Sequence, residues 1–210
     1  VHWAGNKGPH AGNARSDAAG GGHAHAGMMV YLGDSWPAEY RGGLFMGNIH
    51  GQRLNMDIAE RSGSGFVGHH GKDFLNFNDT WSQTLNQIYD QDGSVYIIDW
   101  YDKNQCHHNT VEGHDRSNGR IYKVVYNNQK HTPVDLLKAS DDELVKFQLH
   151  KNDWYVRHAR RILQERAANK TLGAGTRAAL VKILRENPDT TRKLRALWAL
   201  HVTGGIDGVL

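Results

Sequence analysis

The chain has 210 residues, a net charge of +3 and a mean hydropathy of −0.65. Its single cysteine, Cys106, excludes an internal disulfide, and no apolar run approaches the roughly 18 residues that a membrane-spanning helix needs. Residues 1–132 carry 11 Lys and Arg against 13 Asp and Glu, whereas residues 133–210 carry 14 against 9. Because no basic block with interleaved aromatics occurs, this charge favours a solvated helix face over nucleic-acid binding.

The first 132 residues have the pattern of short β-strands. A Gly-, Ala- and His-rich opening is followed by apolar or alternating runs, bounded by turn residues such as His50-Gly51 and Asp92-Gly93. These runs predict strands at 28–32, 44–48, 53–58, 84–89, 95–100 and 121–126, with a further strand at either 66–69 or 74–77.

Two of the strands belong to a repeat. The segment 43–48 returns about fifty residues later as 93–99, and each is followed by a Gly, an Arg and a second alternating run, at 51–56 and at 119–124. Short strands repeated at this period are typical of propeller blades. We therefore predict about two blades of a partial antiparallel β-propeller in residues 1–132. Because two blades cannot close a ring, and because the chain begins at Val1, we expect a fragment that folds poorly alone.

From Pro133 onward the apolar period changes from two to 3.6 residues. Ser140 and Glu143 have capping-box spacing, and Asn152 or Asp153 can cap the next helix. Short amphipathic helices with brief connections predict a helical-repeat array in residues 133–210. The apolar positions that mark the helices are Tyr155, Ala159, Ile162 and Leu163, then Leu180, Ile183 and Leu184, then Leu194, Leu197, Trp198 and His201, with Gly204-Gly205 as the end.

Blade topology predicts where a binding site lies. In an up-and-down sheet, alternate connections fall at the same end of the strands, so the loop before a blade and the loop between its second and third strands share one face. The best candidates for cofactor contacts on that face are His23, His25, His50, Asp79 and Asp99. Each has a plain structural alternative, such as a turn residue for His50 and a cap of loop amides for Asp99.

The insertion at 101–119 contains a second candidate group. Cys106, His107, His108 and His114 could bind zinc or copper, although their spacing matches no strong zinc pattern. Covalent haem attachment needs a second cysteine three residues before Cys106, and that position is Lys103. We therefore expect no c-type haem within this segment.

Several of these segments resemble a known family. Residues 25–31, 33–42 (GDSWPAEYRG), 44–45 and 50–51 look like the C-terminal blades of glucose/sorbosone dehydrogenase propellers, and 92–96 (DGSVY) with Asp99 and 119–124 (GRIYKV) continue the match. A closer resemblance is to the planctomycete-type membrane-bound dehydrogenase branch, in which HEAT-like helices follow the propeller. Residues 152–161 (NDWYVRHARR) and 195–201 (RALWALH) look like that helical part.

The resemblance implies a six-bladed, exported or periplasmic and membrane-associated quinoprotein-like dehydrogenase. Such enzymes use pyrroloquinoline quinone and calcium to oxidise sugars or other alcohols and aldehydes, and electrons here would pass to a c-type haem domain outside this segment. The family's histidine base lies in an earlier blade, so no catalytic residue is assigned. The alternative is a non-catalytic propeller with a helical-repeat module that binds glycans or proteins. A metal-storing His-rich protein is less favoured, because the histidines are dispersed over loops.

Overall fold

The computed structural model describes residues 24–102 and 114–207, which form a mixed α and β structure. These residues divide into two compact units, with the boundary after Gln129. The described part of the first unit holds two antiparallel sheets, neither of which closes on itself, and the second holds four α-helices. The mixed fold class predicted from the sequence is confirmed at this level.

The first sheet has five strands, and the order of the main path follows the chain. The strands are β1 (His25–Val30), β2 (Leu44–Asn48), β3 (Arg53–Ser62), β4 (Gly65–His70) and β5 (Leu75–Asn76), in the order β1-β2-β3-β4, with β5 paired to β3. Strand β3 is four residues longer than predicted, so its start pairs with β5 and its second half pairs with β4. Both sequence alternatives for the next strand are therefore partly correct. Strand β1 begins three residues earlier than predicted because His25 and Ala26 already pair with β2.

The second sheet has three strands in simple sequential order. They are β6 (Thr84–Tyr89), β7 (Val95–Asp99) and β8 (Arg120–Val124). Gly93, with a φ of 73°, allows the turn between β6 and β7, as the Asp-Gly pair predicts. Strand β7 ends one residue earlier than predicted, and β8 covers 120–124 instead of 121–126.

The two sheets pack through β1 and β2 against β6. A Cβ atom added to Gly47 would lie 2.5 Å from the carbonyl oxygen of Thr84, and one added to Gly27 would lie 2.5 Å from the Cα atom of Asn86. The absence of a side chain at both glycines thus lets the two backbones touch. The Gln87 side chain, buried in β6, adds a polar link: its Nε2 donates to the carbonyl oxygens of Gly27 (2.7 Å) and Phe45 (2.8 Å).

A cluster of aromatic side chains packs at one end of the two sheets. The fully buried Tyr31 ring stacks on Trp36 with centroids 4.4 Å apart, and it meets Phe45 and Tyr89 edge-on. Its hydroxyl donates to the carbonyl oxygen of Gly93 and accepts from the backbone N–H of Trp36. The segment after β1 is thereby fastened to the β6–β7 turn.

The described part of the second unit consists of four helices, and the two helix starts whose caps were predicted are capped as expected. The Ser140–Glu143 capping box is present, and the Asn152 side chain accepts from the Trp154 N–H at 3.0 Å. At the last helix end, the Gly205 N–H donates to the Leu200 carbonyl at 2.8 Å, the bond expected of a glycine-terminated helix. The helices are α1 (Asp141–Phe147), α2 (Asp153–Ala168), α3 (Thr176–Glu186) and α4 (Thr190–Val202), and a short 3-10 turn covers Leu136–Lys138.

The helical core uses the predicted faces of α2 and α3, which bury Tyr155, Ala159, Leu163 and Leu180. In α4, however, the buried apolar residues are Ala196, Ala199 and Leu200. Leu194 and Trp198, which lie on the apolar face that the sequence predicted, are 41% and 48% exposed. The alanines are small enough to let α4 approach its neighbours closely, which the larger apolar side chains would prevent. Within the described part of the chain, no helix is long and apolar enough to cross a bilayer.

Candidate functional site

Both sheets present strand ends at one edge of the first unit, which we call the rim. Because Gly47, near the end of β2, lies against Thr84 at the start of β6, the two rows of strand ends are neighbours. Cross-strand pairing shows which residues lie in each row of strand ends. The rim residues are His25, Asn48 and Arg53 in the first sheet, and Thr84, Asp99 and Arg120 in the second.

The predicted cofactor residues divide into two groups at this end. His25 lies with its Nε2 3.3 Å from the Asn55 Nδ2, and His50 is buried in the turn after β2. The carbonyl oxygen of His50 accepts from the Gln52 side chain, whereas Asp79 and Asp99 belong to a polar group at the second sheet. His23 lies outside the described residues.

Arg120 connects the two predicted carboxylates, contacting Asp79 directly and Asp99 through Tyr122. Its guanidinium carbon lies 3.4 Å from the centroid of the Tyr101 ring, and its Nη1 lies 3.7 Å from the Asp79 Oδ2 and 3.5 Å from the Tyr122 hydroxyl. The Tyr122 hydroxyl in turn donates to the Asp99 Oδ2 at 3.3 Å. We call these five residues, Asp79, Asp99, Tyr101, Arg120 and Tyr122, the Arg120 cluster.

Sequence reasoning missed Arg120, Tyr101 and Tyr122, although part of the signal was present. Residues i and i+2 of a strand point to the same face, so β8 places Arg120 and Tyr122 side by side, opposite the end of β7. The repeat also marks the position: Arg53 begins the third strand of the first sheet as Arg120 begins that of the second. Arg53 likewise pairs with a carboxylate, with 2.5 Å between its Nη1 and the Asp73 Oδ2.

The pKa values of Asp99, Tyr101 and Arg120 are shifted in this environment. Burial raises the pKa of Asp99, although hydrogen bonds from the Gln83 N–H (2.5 Å) and from Tyr122 oppose the increase. The hydrogen bond to Asp79 raises the pKa of Tyr101, and the contact with Tyr122 raises the pKa of Arg120. At neutral pH the Tyr101 hydroxyl and the Arg120 guanidinium are therefore both protonated, so that the cluster combines donors with carboxylate acceptors.

Only one of the four predicted metal ligands belongs to the described residues. Cys106, His107 and His108 lie outside the described residues, and only His114 is placed, with its Nδ1 3.2 Å from the Oδ2 of the fully buried Asp102. Across residues 24–102 and 114–207, no three His, Cys, Asp or Glu side chains come together as a metal-binding group. The metal site remains a prediction.

A cavity of about 550 Å³ opens beside the Arg120 cluster, within the usual range for small-molecule sites. Its lining combines apolar side chains such as Trp100, which is 53% exposed, with polar ones. Among the polar residues, Asp115 accepts from the Ser117 hydroxyl and N–H and from the Asn118 amide. The lining residues are Ile98, Asp99, Trp100 and the run 115–121.

Comparison with known proteins gives the family. Residues 4–128, more than half of the 210-residue chain, match the family model described as a domain of unknown function, DUF7133, and the chain belongs to that family. No match to a curated protein or to a solved structure is found.

Proposed function

We propose that the first unit is a pair of neighbouring blades of a six-bladed β-propeller and that its rim binds a sugar or a related polyol. Three observations support the blade assignment. The main path of each sheet follows the chain order, the first strands β1 and β6 pack together, and Arg53 and Arg120 occupy equivalent positions at the rim. In a propeller the first strand of each blade lies nearest the axis, so contact between two first strands is expected.

The observation that carries the binding proposal is the Arg120 cluster. Carboxylates accept from neighbouring sugar hydroxyls, a guanidinium donates to them in a fixed fork, and aromatic rings pack on the C–H faces of the sugar. Asp79, Arg120 and Tyr101 supply these three kinds of group, with the Asp79 carboxylate and the Tyr101 ring each within 3.7 Å of the Arg120 guanidinium, beside a cavity of suitable size.

We further propose that the bound polyol is the substrate of a quinoprotein-like dehydrogenase, the reaction that the family resemblance implies. Pyrroloquinoline quinone, when bound, supplies the hydride acceptor for such an oxidation. Among the described residues, the rim carboxylates are engaged by Arg120 and by backbone N–H groups and form no three-ligand group for calcium. The part that we propose for the described residues is therefore to bind and orient the substrate.

The remaining expectations extend this proposal. An exported or periplasmic location, a membrane association and a c-type haem partner all rest on the resemblance. The four helices would serve as a HEAT-like scaffold for that partner. A non-catalytic glycan-binding module is the second candidate, because the same cluster serves it equally well without a redox cofactor.

Binding is tested by calorimetric titration of the whole chain with a panel of hexoses, pentoses and sugar alcohols. Arg120→Lys keeps the charge but loses the planar fork and the stacking on Tyr101, so we expect the Kd to rise about tenfold or more. Arg61→Lys is the matched control, because Arg61 lies at the exposed β3–β4 hairpin. Absence of saturable binding to every member of the panel, or equal effects of the two variants, would contradict the proposal.

A second measurement separates the two candidate functions. The chain is incubated with pyrroloquinoline quinone and calcium, and dye reduction is followed with each polyol that binds. Reduction that depends on the polyol supports the dehydrogenase. Polyol binding without cofactor uptake or dye reduction supports the non-catalytic module.

A further inference from the structure

The face where α2 meets α4 carries three arginines around a single carboxylate. Arg157 donates through Nε to the Asp153 Oδ2 at 2.7 Å, and Arg195 donates through Nη2 to the Asp153 Oδ1 at 2.8 Å. Arg195 also donates to the carbonyl oxygen of His150 at 2.9 Å. Both oxygens of Asp153 are therefore engaged by Arg157 and Arg195. The third arginine, Arg160, lies on the same face of α2 as Asp153 and Arg157.

Arg160 lacks a complete set of partners. Its side chain is half-buried, its guanidinium carbon lies 5.4 Å from the centroid of the Trp198 ring, and its Nη1 is buried with no hydrogen-bond partner among the described residues. Burial lowers the pKa of Arg160; Asp153 opposes this shift, whereas Arg157 and Arg195 add to it. A buried, unpaired N–H of a cation is costly, so this position needs an acceptor that the described side chains do not provide.

We propose that Arg157, Arg160 and Arg195, beside the ring of Trp198, form an oxyanion-binding site in the helical unit. Both oxygens of the Asp153 carboxylate are already engaged, so Nη1 of Arg160 is left to bind an added anion. Guanidinium groups bind carboxylate, sulfate and phosphate through paired hydrogen bonds. The Arg157 side chain is 55% exposed and Trp198 is 48% exposed, so an anion can approach the site from solvent beside these two side chains. The ligand class is a small anion, or a larger molecule that bears one of these oxyanions. The site belongs to the second unit, and its test does not depend on polyol binding.

The chain offers a matched pair of variants for the test. Arg161 follows Arg160 on the same helix, but its side chain is 77% exposed and pairs with Glu165 at 2.9 Å. Whole-chain samples of the wild type, Arg160→Gln and Arg161→Gln are titrated with sodium sulfate, sodium phosphate and sodium acetate at constant ionic strength set with chloride. The Nε–H resonance of Arg160, assigned by its loss in Arg160→Gln, reports binding by NMR, and calorimetry gives the affinity.

We expect saturable binding of one anion, unchanged in Arg161→Gln and weakened about tenfold or more in Arg160→Gln, as loss of a charge-assisted hydrogen bond predicts. The order of affinities among acetate, sulfate and phosphate then identifies the oxyanion that the site prefers. Signals that move without saturation, or equal binding in the two variants, would overturn the proposal, because both indicate simple screening of charge. If Arg160→Gln fails to fold, Arg160→Lys tests the same point, since it keeps the charge and removes the fork.

Discussion

The Tyr31 hydroxyl donates a hydrogen bond of 2.7 Å to the carbonyl oxygen of Gly93, so that a residue after the first strand of one sheet is tied to the β6–β7 turn of the other. The Tyr31 hydroxyl oxygen also accepts from the N–H groups of Ser35 (3.3 Å) and Trp36 (3.0 Å). One buried phenol thus satisfies three backbone groups that would otherwise lack partners.

Replacing this phenol tests its contribution. Tyr31→Phe keeps the ring but leaves the Gly93 carbonyl and two backbone N–H groups unpaired, so we expect a loss of about 1–3 kcal/mol in the free energy of unfolding. Urea unfolding followed by near-UV circular dichroism measures it. Tyr126→Phe, at an exposed tyrosine, should change the value by less than about 0.5 kcal/mol. Equal effects of the two substitutions would show that the Tyr31 hydrogen bonds contribute nothing net.

Close packing of the two sheets depends on Gly47. In Gly47→Ala the new Cβ would lie 2.5 Å from the Thr84 carbonyl oxygen, and the sheets would have to separate. We expect the free energy of unfolding to fall by about 1–3 kcal/mol, as in other overpacked interiors. Gly68→Ala is the control, because no atom lies within 4 Å of the added carbon there. Thermal unfolding of both variants decides between a packing effect and a general cost of replacing glycine in a strand.

Asp153 is joined by ion pairs to both Arg157 and Arg195 in the helical unit. Asp153→Asn removes that charge and leaves a buried arginine uncompensated, so we expect a loss of about 3 kcal/mol or more. Glu165→Gln breaks the exposed pair with Arg161 and should cost at most about 0.5 kcal/mol. The measurement is helical ellipticity against temperature. A small effect of Asp153→Asn would mean that water already satisfies the arginines.

The loss of folding stability at low pH depends in part on Asp141. Burial alone would raise the pKa of Asp141, but hydrogen bonds from the Gly173 N–H and from Arg166 outweigh it and lower the pKa below the ordinary value of 3.8. A carboxylate whose pKa is depressed on folding stabilises the protein above the unfolded pKa, and this stabilisation is lost as the pH falls through the folded value.

Asp141→Asn should therefore lower the free energy of unfolding by a constant amount from about pH 5 to 7, and the difference from the wild type should shrink below about pH 4. Unfolding in urea at each pH measures the difference. Asp142→Asn removes the same charge from the same helix turn without the contacts to Gly173 and Arg166. A difference between wild type and Asp141→Asn that persists undiminished at pH 2 would contradict the assignment.

Local patterns predicted much of the fold, because local chemistry decides it. Alternation placed β2, β6 and β7 to within a residue, and the capping box at Ser140 appears as predicted. The pairing of β3 with both β4 and β5 was not predicted, since it depends on how far β3 continues and not on the apolar pattern of its partners.

The candidate site was predictable only in part. Topology places Asp79 and Asp99 at one end of the sheets, but it does not identify the cation that connects them. Recognising Arg120 requires the β7–β8 register, and the polar insertion between these strands hides that register in the sequence. The contact of His25 with Asn55 likewise depends on how the first sheet pairs.

The Gln87 side chain has a consequence for recognition at the rim. A purely apolar contact between the sheets could slide by small amounts, whereas two directional bonds from one amide to Gly27 and Phe45 fix the offset between them. His25 and Asn48 are thus held at a set separation from Asp99 and Arg120 before any ligand arrives. A polyol that bridges both rows would meet a preorganised surface, and its affinity would not be reduced by the entropy of aligning the two sheets.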